Sequence, residues 1–215
     1  MTNNTEGKRD GHDWFEIIAT VLLAVAAVAT AWSSYQSTRW NGESSKASGR
    51  TNALRIEAAR SQGLAEAQTQ IDIATFIQWV DASVNGNDEL EQFYRERFRP
   101  EFRPAFEAWE VTDPLTNADA PPTPFAMPEY RLEATAEAER LDAEAAASAA
   151  IVLRNIQRAA NYVLAVVLFA VALFFAGMSA KLKGRVARTF TLVTGCLIFV
   201  GTTAWIASFP VSVAV

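Results

Sequence analysis

Three apolar stretches limit what this chain can fold into more than any other feature. They cover residues 14–32, 162–180 and 189–209, and each holds about 20 residues with almost no charge. As α-helices rising about 1.5 Å per residue, they match the roughly 30 Å hydrocarbon thickness of a bilayer. We therefore predict an all-α membrane protein with three transmembrane helices and a long helical segment between the first and the second.

The distribution of basic residues predicts the orientation of these helices. The connection 181–188 carries Lys and Arg but no acidic residue, and the tail 1–13 carries Lys8 and Arg9. Basic residues near membrane spans stay preferentially on the cytoplasmic side. The tail and the connection are therefore predicted to be cytoplasmic, with residues 33–161 and 210–215 outside.

Residues 1–31 also match the pattern of a secretory signal peptide. Lys8 and Arg9 precede an apolar run that ends in Ala29-Thr30-Ala31, which has the A-x-A form of a cleavage site. The run is long for a signal peptide, and acidic residues lie in its flank. We favour an uncleaved first transmembrane helix and keep cleavage as the alternative.

Charge and motifs argue against nucleic-acid binding and against catalysis. The net charge is −5, and acidic residues outnumber basic ones over 33–158, which gives no support for phosphate neutralisation. The single histidine, His12, lies in the tail, and the single cysteine, Cys196, lies in the third apolar stretch. No Gly-rich phosphate loop, H-E-x-x-H or G-x-S-x-G is present. We predict no enzyme, no cofactor, no metal site and no disulfide.

The segment between the first two spans is predicted to be an Ala-rich helical hairpin. It has an ascending helix over about 43–84, a tip over 85–128 and a descending helix over 129–161, with a bend where Gly42 and Gly49 weaken the helix. Alanine adds little apolar area per residue, so neighbouring subunits are expected to cover the hairpin in a homo-oligomer. The predicted ascending seam is Ala53, Ile56, Arg60, Leu64, Ala67, Ile71, Ala74 and Ile77. The predicted descending seam is Tyr130, Ala134, Ala138, Leu141, Ala145, Ser148, Val152, Ile156, Ala159 and Val163.

Aromatic and basic residues are concentrated in the tip. Asn85-Gly86-Asn87 predicts a helix stop, and residues 88–110 are predicted to form two short helices broken at Pro100 and Pro104. One interpretation is a patch for a partner or for the membrane interface, and the favoured one is that the aromatic residues close the core of the tip. The residues are Phe98, Phe102, Phe106 and Trp109, with Arg99 and Arg103 beside them.

The first span carries a candidate pore contact and a ridge of small residues. Glu16, with Thr20 one turn further on, could face ions at a pore mouth, although Glu16 is also close enough to the boundary to reach headgroups. The small residues favour close helix packing over pore lining. They are Ala24, Ala27, Ala31 and Ser34 in the first span, Ala172 and Ala176 in the second, and Gly195 in the third.

Aromatic residues near the ends of the spans are predicted to be interfacial anchors. They are Trp14, Trp32, Tyr35, Trp40 and Trp205. Trp32, Tyr35 and Gln36 form a W-x-x-Y-Q pattern that follows the first span. With the Ala-rich helix and the two later spans, this pattern resembles uncharacterised bacterial membrane proteins grouped as a domain of unknown function. The resemblance implies a bacterial inner-membrane location and brings no catalytic residues.

These predictions together favour a homo-oligomeric membrane protein whose extracytoplasmic helical domain is a scaffold or an interaction module. Its expected partners are the lipid bilayer, further copies of itself and an extracytoplasmic protein. The alternative is an ion-conducting or tension-sensing channel in which the first transmembrane helix lines the axis.

Overall fold

The computed structural model describes residues 10–114 and 116–212, with side chains from Trp14 onward. Within these residues the chain is helical and has no strand. The helices are α1 (Asp10–Val84), α2 (Asp88–Arg97), α3 (Arg103–Glu110), α4 (Glu133–Lys181) and α5 (Arg185–Ala207), with a short 3₁₀ helix (Pro124–Ala126) between α3 and α4.

Three of these helices, α1, α4 and α5, are long and apolar enough to cross a membrane. Only 17%, 28% and 17% of their respective apolar windows are buried within the chain. The rest of each window presents apolar side chains at the surface, as a membrane-spanning helix does to lipid.

The helix boundaries differ from the predicted ones at three places. Helix α1 continues through Gly42 and Gly49, because single glycines cost only about 1 kcal/mol in a helix this long. Helix α4 begins at Glu133, since Pro128 is followed by a turn. The basic connection is shorter than expected: residues 182–184 separate α4 from α5, and Arg188 lies inside α5.

Local sequence signals explain the ends of the short helices. Helix α1 ends at Val84 ahead of Gly86, whose φ of 66° is accessible at low cost only to glycine. The Asn87 side chain accepts a hydrogen bond from the Leu90 amide at 3.1 Å and caps α2. Pro104 lies in the first turn of α3, where its missing amide hydrogen costs nothing, so it starts this helix and does not break it.

The chain divides into two compact units, which are described separately. The terminal unit comprises Met1–Ser48 and Ala149–Val215, and the middle unit comprises Gly49–Ser148. In the terminal unit, Ala19 and Leu22 of α1 pack with Ala176 and Leu192. In the middle unit, Ala65 of α1 packs with Leu132 and Ala134.

In the middle unit the predicted ascending seam lies on an exposed side of α1, so its assignment to the hairpin interior was wrong. The buried residues recur every seven positions instead, on another side of the helix. Except at Trp79, which joins the aromatic core of the tip, the side chains at these positions are small or polar and allow a close approach to alanine-rich α4. They are Thr51, Ala58, Ala65, Asp72 and Trp79.

The descending seam is buried within the middle unit from Ala134 to Ser148. In the terminal unit the prediction is right at Ala159, which is buried, but wrong at Ile156 and Val163, which are exposed; the residues before them, Asn155 and Tyr162, are buried instead. Most buried residues on α4 follow one another by threes and fours, and one line of them, which includes Ser148, Asn155 and Tyr162, repeats every seven residues.

Candidate functional site

The tip of the middle unit is built around a cluster of six buried aromatic residues. Phe76 and Trp79 come from α1, Phe98 and Phe102 from the connection between α2 and α3, and Phe106 and Trp109 from α3. The Phe106 ring centroid lies 4.8 Å from Trp79 and 4.7 Å from Phe98. Offset and edge-to-face pairs at these distances contribute about 0.5–1.5 kcal/mol each beyond area burial.

The alternative of an exposed partner patch in the tip is therefore wrong, and the favoured interpretation, in which these aromatic residues close the core of the tip, is confirmed. Phe98, Phe102, Phe106 and Trp109 are all at most 6% exposed. They are buried because Phe76 and Trp79 of α1 provide apolar partners for them within the same unit. Arg103 remains exposed and donates a hydrogen bond to the Glu96 carbonyl at 3.2 Å.

A buried ion pair lies beside the aromatic cluster. Asp72 is completely buried on α1, and its Oδ2 accepts hydrogen bonds from Arg99 Nη1 at 2.8 Å and from the Tyr130 hydroxyl at 3.1 Å. The same hydroxyl lies 3.2 Å from the Thr69 Oγ1. Asp72 Oδ1 has no hydrogen-bond partner among the described residues. Hydrogen bonds thus satisfy Oδ2 of this carboxylate but not Oδ1 among the described residues.

Burial raises the pKa values of both Asp72 and Tyr130. It raises the pKa of Asp72 above its ordinary value, and the Arg99 guanidinium and the Tyr130 hydroxyl offset part of that effect. Burial also raises the pKa of the Tyr130 hydroxyl, and the nearby carboxylate acts in the same direction. Tyr130 therefore remains a proton donor to Asp72.

Arg99 connects this ion pair to the start of α4. Its guanidinium also pairs with Glu101, and Glu101 Oε1 accepts a hydrogen bond from the Glu133 amide at 3.0 Å. This contact satisfies one of the free amides at the N-terminus of α4. Arg99 was predicted to belong to a binding patch, but in the structure it stabilises the interior of the tip.

A cavity of about 890 Å³ opens next to the aromatic cluster. It lies between the end of α1, α3 and the described residues of the connection that follows α3. Its apolar walls include Phe76, Trp79, Val80 and Trp109. The Trp109 Nε1 donates to the Pro121 carbonyl at 2.7 Å and holds the connection against α3.

In the terminal unit, the candidate pore contacts lie on the exposed side of α1. Glu16 and Thr20 are both exposed, and the Thr20 hydroxyl donates to the Glu16 backbone carbonyl at 2.8 Å. The small-residue ridge of the first span is exposed as well, at Ala24, Ala27, Ala31 and Ser34. Packing within the chain uses a different side of α1, which includes Ala19, Leu22, Ala26 and Ser33.

The small residues of the second and third spans lie at a close helix contact. Ala172 and Ala176 are fully buried on α4. A Cβ placed on Gly195 of α5 would lie 3.2 Å from the Ala172 carbonyl oxygen, so a larger side chain would require the helices to shift. Gly195 thus allows α4 and α5 to approach each other.

Four of the five predicted anchors have exposed side chains: Trp14, Trp32, Tyr35 and Trp205. Trp40 differs, because it is only 8% exposed and packs with Ala159 and Tyr162. The Arg158 guanidinium lies 4.5 Å from the centre of its ring. The prediction of an exposed anchor at Trp40 was wrong, because this residue lies on the side of α1 that faces α4.

The sequence analysis did not predict the contact between Gln36 and the segment after α5. It is completely buried, its Oε1 accepts from the Ser212 amide at 3.0 Å, and its Nε2 lies 3.4 Å from the Ser212 carbonyl oxygen. The Tyr162 hydroxyl donates to the Pro210 carbonyl at 3.3 Å. These bonds hold the segment after α5 against α1 and α4, and a glutamine on the buried side of a helix was the signal that could have indicated them.

The comparisons with known proteins leave the site to be interpreted on its own geometry. No family model matches the chain, and neither the curated proteins nor the solved structures compared with it show a significant match. Among the described residues, no group of three His, Cys, Asp or Glu side chains is arranged to hold a metal ion.

Proposed function

We propose that this protein is a homo-oligomeric scaffold of a bacterial inner membrane, with the middle unit displayed on the extracytoplasmic side as an interaction module. The three long apolar helices support insertion into a bilayer. The basic residues around the α4–α5 connection support a cytoplasmic location for that connection. The role is one of assembly and binding, with no catalytic step.

The single observation that carries this proposal is the exposed side of α1 in the middle unit. Ile56, Leu64, Ile71 and Ile77 are each between 53% and 56% exposed. Ala53, Ala67 and Ala74 are exposed on the same side. We call this set the α1 stripe; at 1.5 Å per residue it is about 36 Å long. An apolar surface of this length, interrupted only by Arg60 between Ile56 and Leu64, marks an interaction site.

A second copy of the chain is the occupant that fits the α1 stripe best. A single helix face is narrow compared with the roughly 1,000 Å² that a stable interface in solution buries. Anchoring in one membrane raises the effective concentration towards the millimolar range and aligns copies in parallel, so that like stripes can meet. Arg60 lies within this surface, and Glu57 lies one turn away at its edge. Neither has an ion-pair partner among the described residues, so each can pair across the interface.

Disulfide cross-linking in membranes tests this proposal. In a Cys196→Ala background, Leu64→Cys and Ile71→Cys are expected to form disulfide-linked dimers on mild oxidation, because equivalent positions meet across a parallel interface. Gln62→Cys is the matched control: it is exposed, but it lies about 200° from Leu64 around the helix and should cross-link at least about fivefold less. Equal yields at positions 62 and 64, or only monomers at 64 and 71, would contradict the proposal.

Charge reversal adds a test of the pairing itself. Arg60→Glu should lower the Leu64→Cys cross-linking yield by about two- to fivefold, because it places like charges beside the interface. The double variant Glu57→Arg and Arg60→Glu should restore most of the yield. A double variant that remains as weak as Arg60→Glu would exclude this pair from the interface.

A second candidate function is an ion-conducting or tension-sensing channel. It is favoured by one observation: Glu16, Thr20 and the small-residue ridge of α1 are exposed on the single chain and are therefore free to line an axis between copies. In planar bilayers the channel hypothesis predicts cation conductance, with the Glu16→Gln variant reduced by about twofold or more through loss of the carboxylate ring. Conductance no higher than that of protein-free bilayers would exclude the channel hypothesis, and the scaffold hypothesis would remain.

A further inference from the structure

The cavity in the middle unit has the size and the walls of a binding site for a small molecule. Its volume of about 890 Å³ lies within the range of pockets that enclose drug-sized ligands. Trp79, Trp109, Val80 and Phe76 form apolar walls, and Pro121 and Pro122 add further apolar surface from the connection. The aromatic core already accounts for the packing of the tip, so the cavity beside it remains open to a ligand.

The cavity lining is acidic. Among the described residues it contains Glu91, Glu110 and Asp113 and no Lys, Arg or His. Glu110 is paired with Arg95, which lies outside the lining. Glu91 and Asp113 have no ion-pair partner among the described residues. Two uncompensated carboxylates at the edge of an apolar cavity attract positive charge and disfavour anions.

We propose that this cavity binds a small organic cation with an apolar body, of the amine or quaternary ammonium class. The tryptophan and proline walls take the apolar body, and the Glu91 and Asp113 carboxylates take the positive charge. A neutral apolar molecule would use the walls only, and an inorganic cation would use the carboxylates only. An organic cation is the class that uses both, and contacts with tryptophan add to its binding.

The backbone around the cavity supports a preformed site. The Trp109 Nε1 donates to the Pro121 carbonyl, and the Asn117 Nδ2 donates to the Thr112 carbonyl at 3.0 Å, so two hydrogen bonds fix the connection that lines the cavity. Asp113 has a φ of 51°, a left-handed conformation that aspartate and asparagine adopt more readily than most residues. Asparagine can therefore replace Asp113 without a change of backbone.

Isothermal titration calorimetry on the full chain in nanodiscs of zwitterionic lipid tests the proposal, with empty nanodiscs as the blank. The probe is benzyltrimethylammonium, which joins an aromatic body to a fixed positive charge. Two analogues separate the contributions: tetramethylammonium lacks the body, and phenylmethanesulfonate reverses the charge. We expect saturable binding of the first, at least about tenfold weaker binding of the second, and none of the third.

Matched variants locate the binding. Glu91→Gln combined with Asp113→Asn should weaken binding of benzyltrimethylammonium by about tenfold, since both carboxylate charges are removed. Glu89→Gln combined with Asp119→Asn is the control; it removes two exposed carboxylates from the same helix and the same connection, outside the cavity lining. The control should bind as the unmodified chain does.

Three outcomes would overturn the proposal: no saturable binding of benzyltrimethylammonium, equal binding of phenylmethanesulfonate, or equal affinity in the two double variants. Hydrogen exchange over residues 88–110 shows whether each variant keeps its fold, so a loss of binding through unfolding is recognised directly. If the first double variant unfolds, a salt titration of the unmodified chain replaces it. Binding of benzyltrimethylammonium should weaken as the salt rises from about 0.05 M to about 0.5 M. Binding that does not depend on salt would overturn the proposal.

Discussion

Replacing Arg99 by methionine is expected to destabilise the middle unit by about 3–5 kcal/mol, because it leaves a buried carboxylate without its counter-charge. Asp72 is completely buried, and the Arg99 Nη1 contact of 2.8 Å is its only ion pair among the described residues. Tyr130 would remain as the donor to Oδ2, while Oδ1 already has no partner among those residues. Methionine has a similar volume, so the loss reports the removal of the guanidinium from its ion pairs with Asp72 and Glu101.

Hydrogen exchange of the full chain in nanodiscs measures this loss as the free energy of local opening over residues 88–110. Arg103→Met is the matched control, since Arg103 is exposed and contacts only backbone carbonyls among the described residues; it should cost less than about 1 kcal/mol. Adding Asp72→Asn to Arg99→Met should recover part of the loss. Equal effects of the two arginine variants would show that the ion pair contributes nothing to the stability of the tip.

The effect of Arg99→Met should also depend on pH. Burial raises the pKa of Asp72, so the folded state retains this proton to a higher pH than the unfolded state does. The contribution of Asp72 to stability therefore falls as pH rises above its unfolded pKa of about 3.9. Without Arg99 the pKa rises further, so the difference between variant and unmodified chain should be smaller at about pH 5 than at about pH 8. A difference that grows towards low pH would contradict this assignment.

Replacing Phe106 by alanine is expected to cost about 3–5 kcal/mol, because it opens a cavity at the centre of the aromatic cluster. Phe106 is completely buried, and its ring contacts those of Trp79 and Phe98. It also lies 5.4 Å below the Arg95 guanidinium. Loss of the ring removes contacts to α1 and to the α2–α3 connection at once, so the whole tip should loosen.

The matched control is Phe93→Ala on α2. Phe93 is 44% exposed and contacts Tyr94 and Arg97 of its own helix, so its loss should cost about 1 kcal/mol or less. Faster hydrogen exchange over residues 76–84 and 103–110 in Phe106→Ala, but not in Phe93→Ala, would verify the difference. If both variants exchange alike, the cluster does not hold the tip together.

Local sequence signals predicted the helix type and most of the helix ends. Asn85-Gly86-Asn87 ends α1 because a positive φ is needed at Gly86, and the three apolar stretches lie in helices long enough to cross a membrane. The error at Pro104 has a simple cause: proline breaks the interior of a helix but is tolerated in its first turn. These features depend on a few neighbouring residues, which is why sequence alone reveals them.

The side of α1 that is buried was not predictable in the same way. Both Ala58-Ala65 and Ile56-Leu64 follow helical spacing, and the prediction chose the larger side chains. In the structure the smaller side chains, Ala58 and Ala65, are buried. Small side chains allow α1 and α4 to approach closely, and here this close approach decides which side is buried. The first span and the residues after it show the opposite error: the small residues of the predicted ridge are exposed, whereas the large side chain of Trp40 is buried.

The candidate site was only partly visible in the sequence. The aromatic residues of the tip were recognised as a group, and so was Arg99, but nothing nearby in sequence connects Arg99 with Asp72, which is 27 residues away. A lone aspartate between isoleucines has no local signature of a buried ion pair. The cavity has none either, because its lining comes from α1, α2, α3 and the connection after α3.

Sequence by itself determined that the described chain is helical, that three helices are apolar enough for a bilayer, and where the tip interrupts them. Those properties follow from hydropathy and from backbone preferences that act within a few residues. Only the tertiary structure decided which side of α1 is buried, that Phe76 and Trp79 of α1 complete the aromatic core of the tip, and that Asp72 meets Arg99. These outcomes depend on which surfaces fit together, since burial is a property of two surfaces and not of one helix.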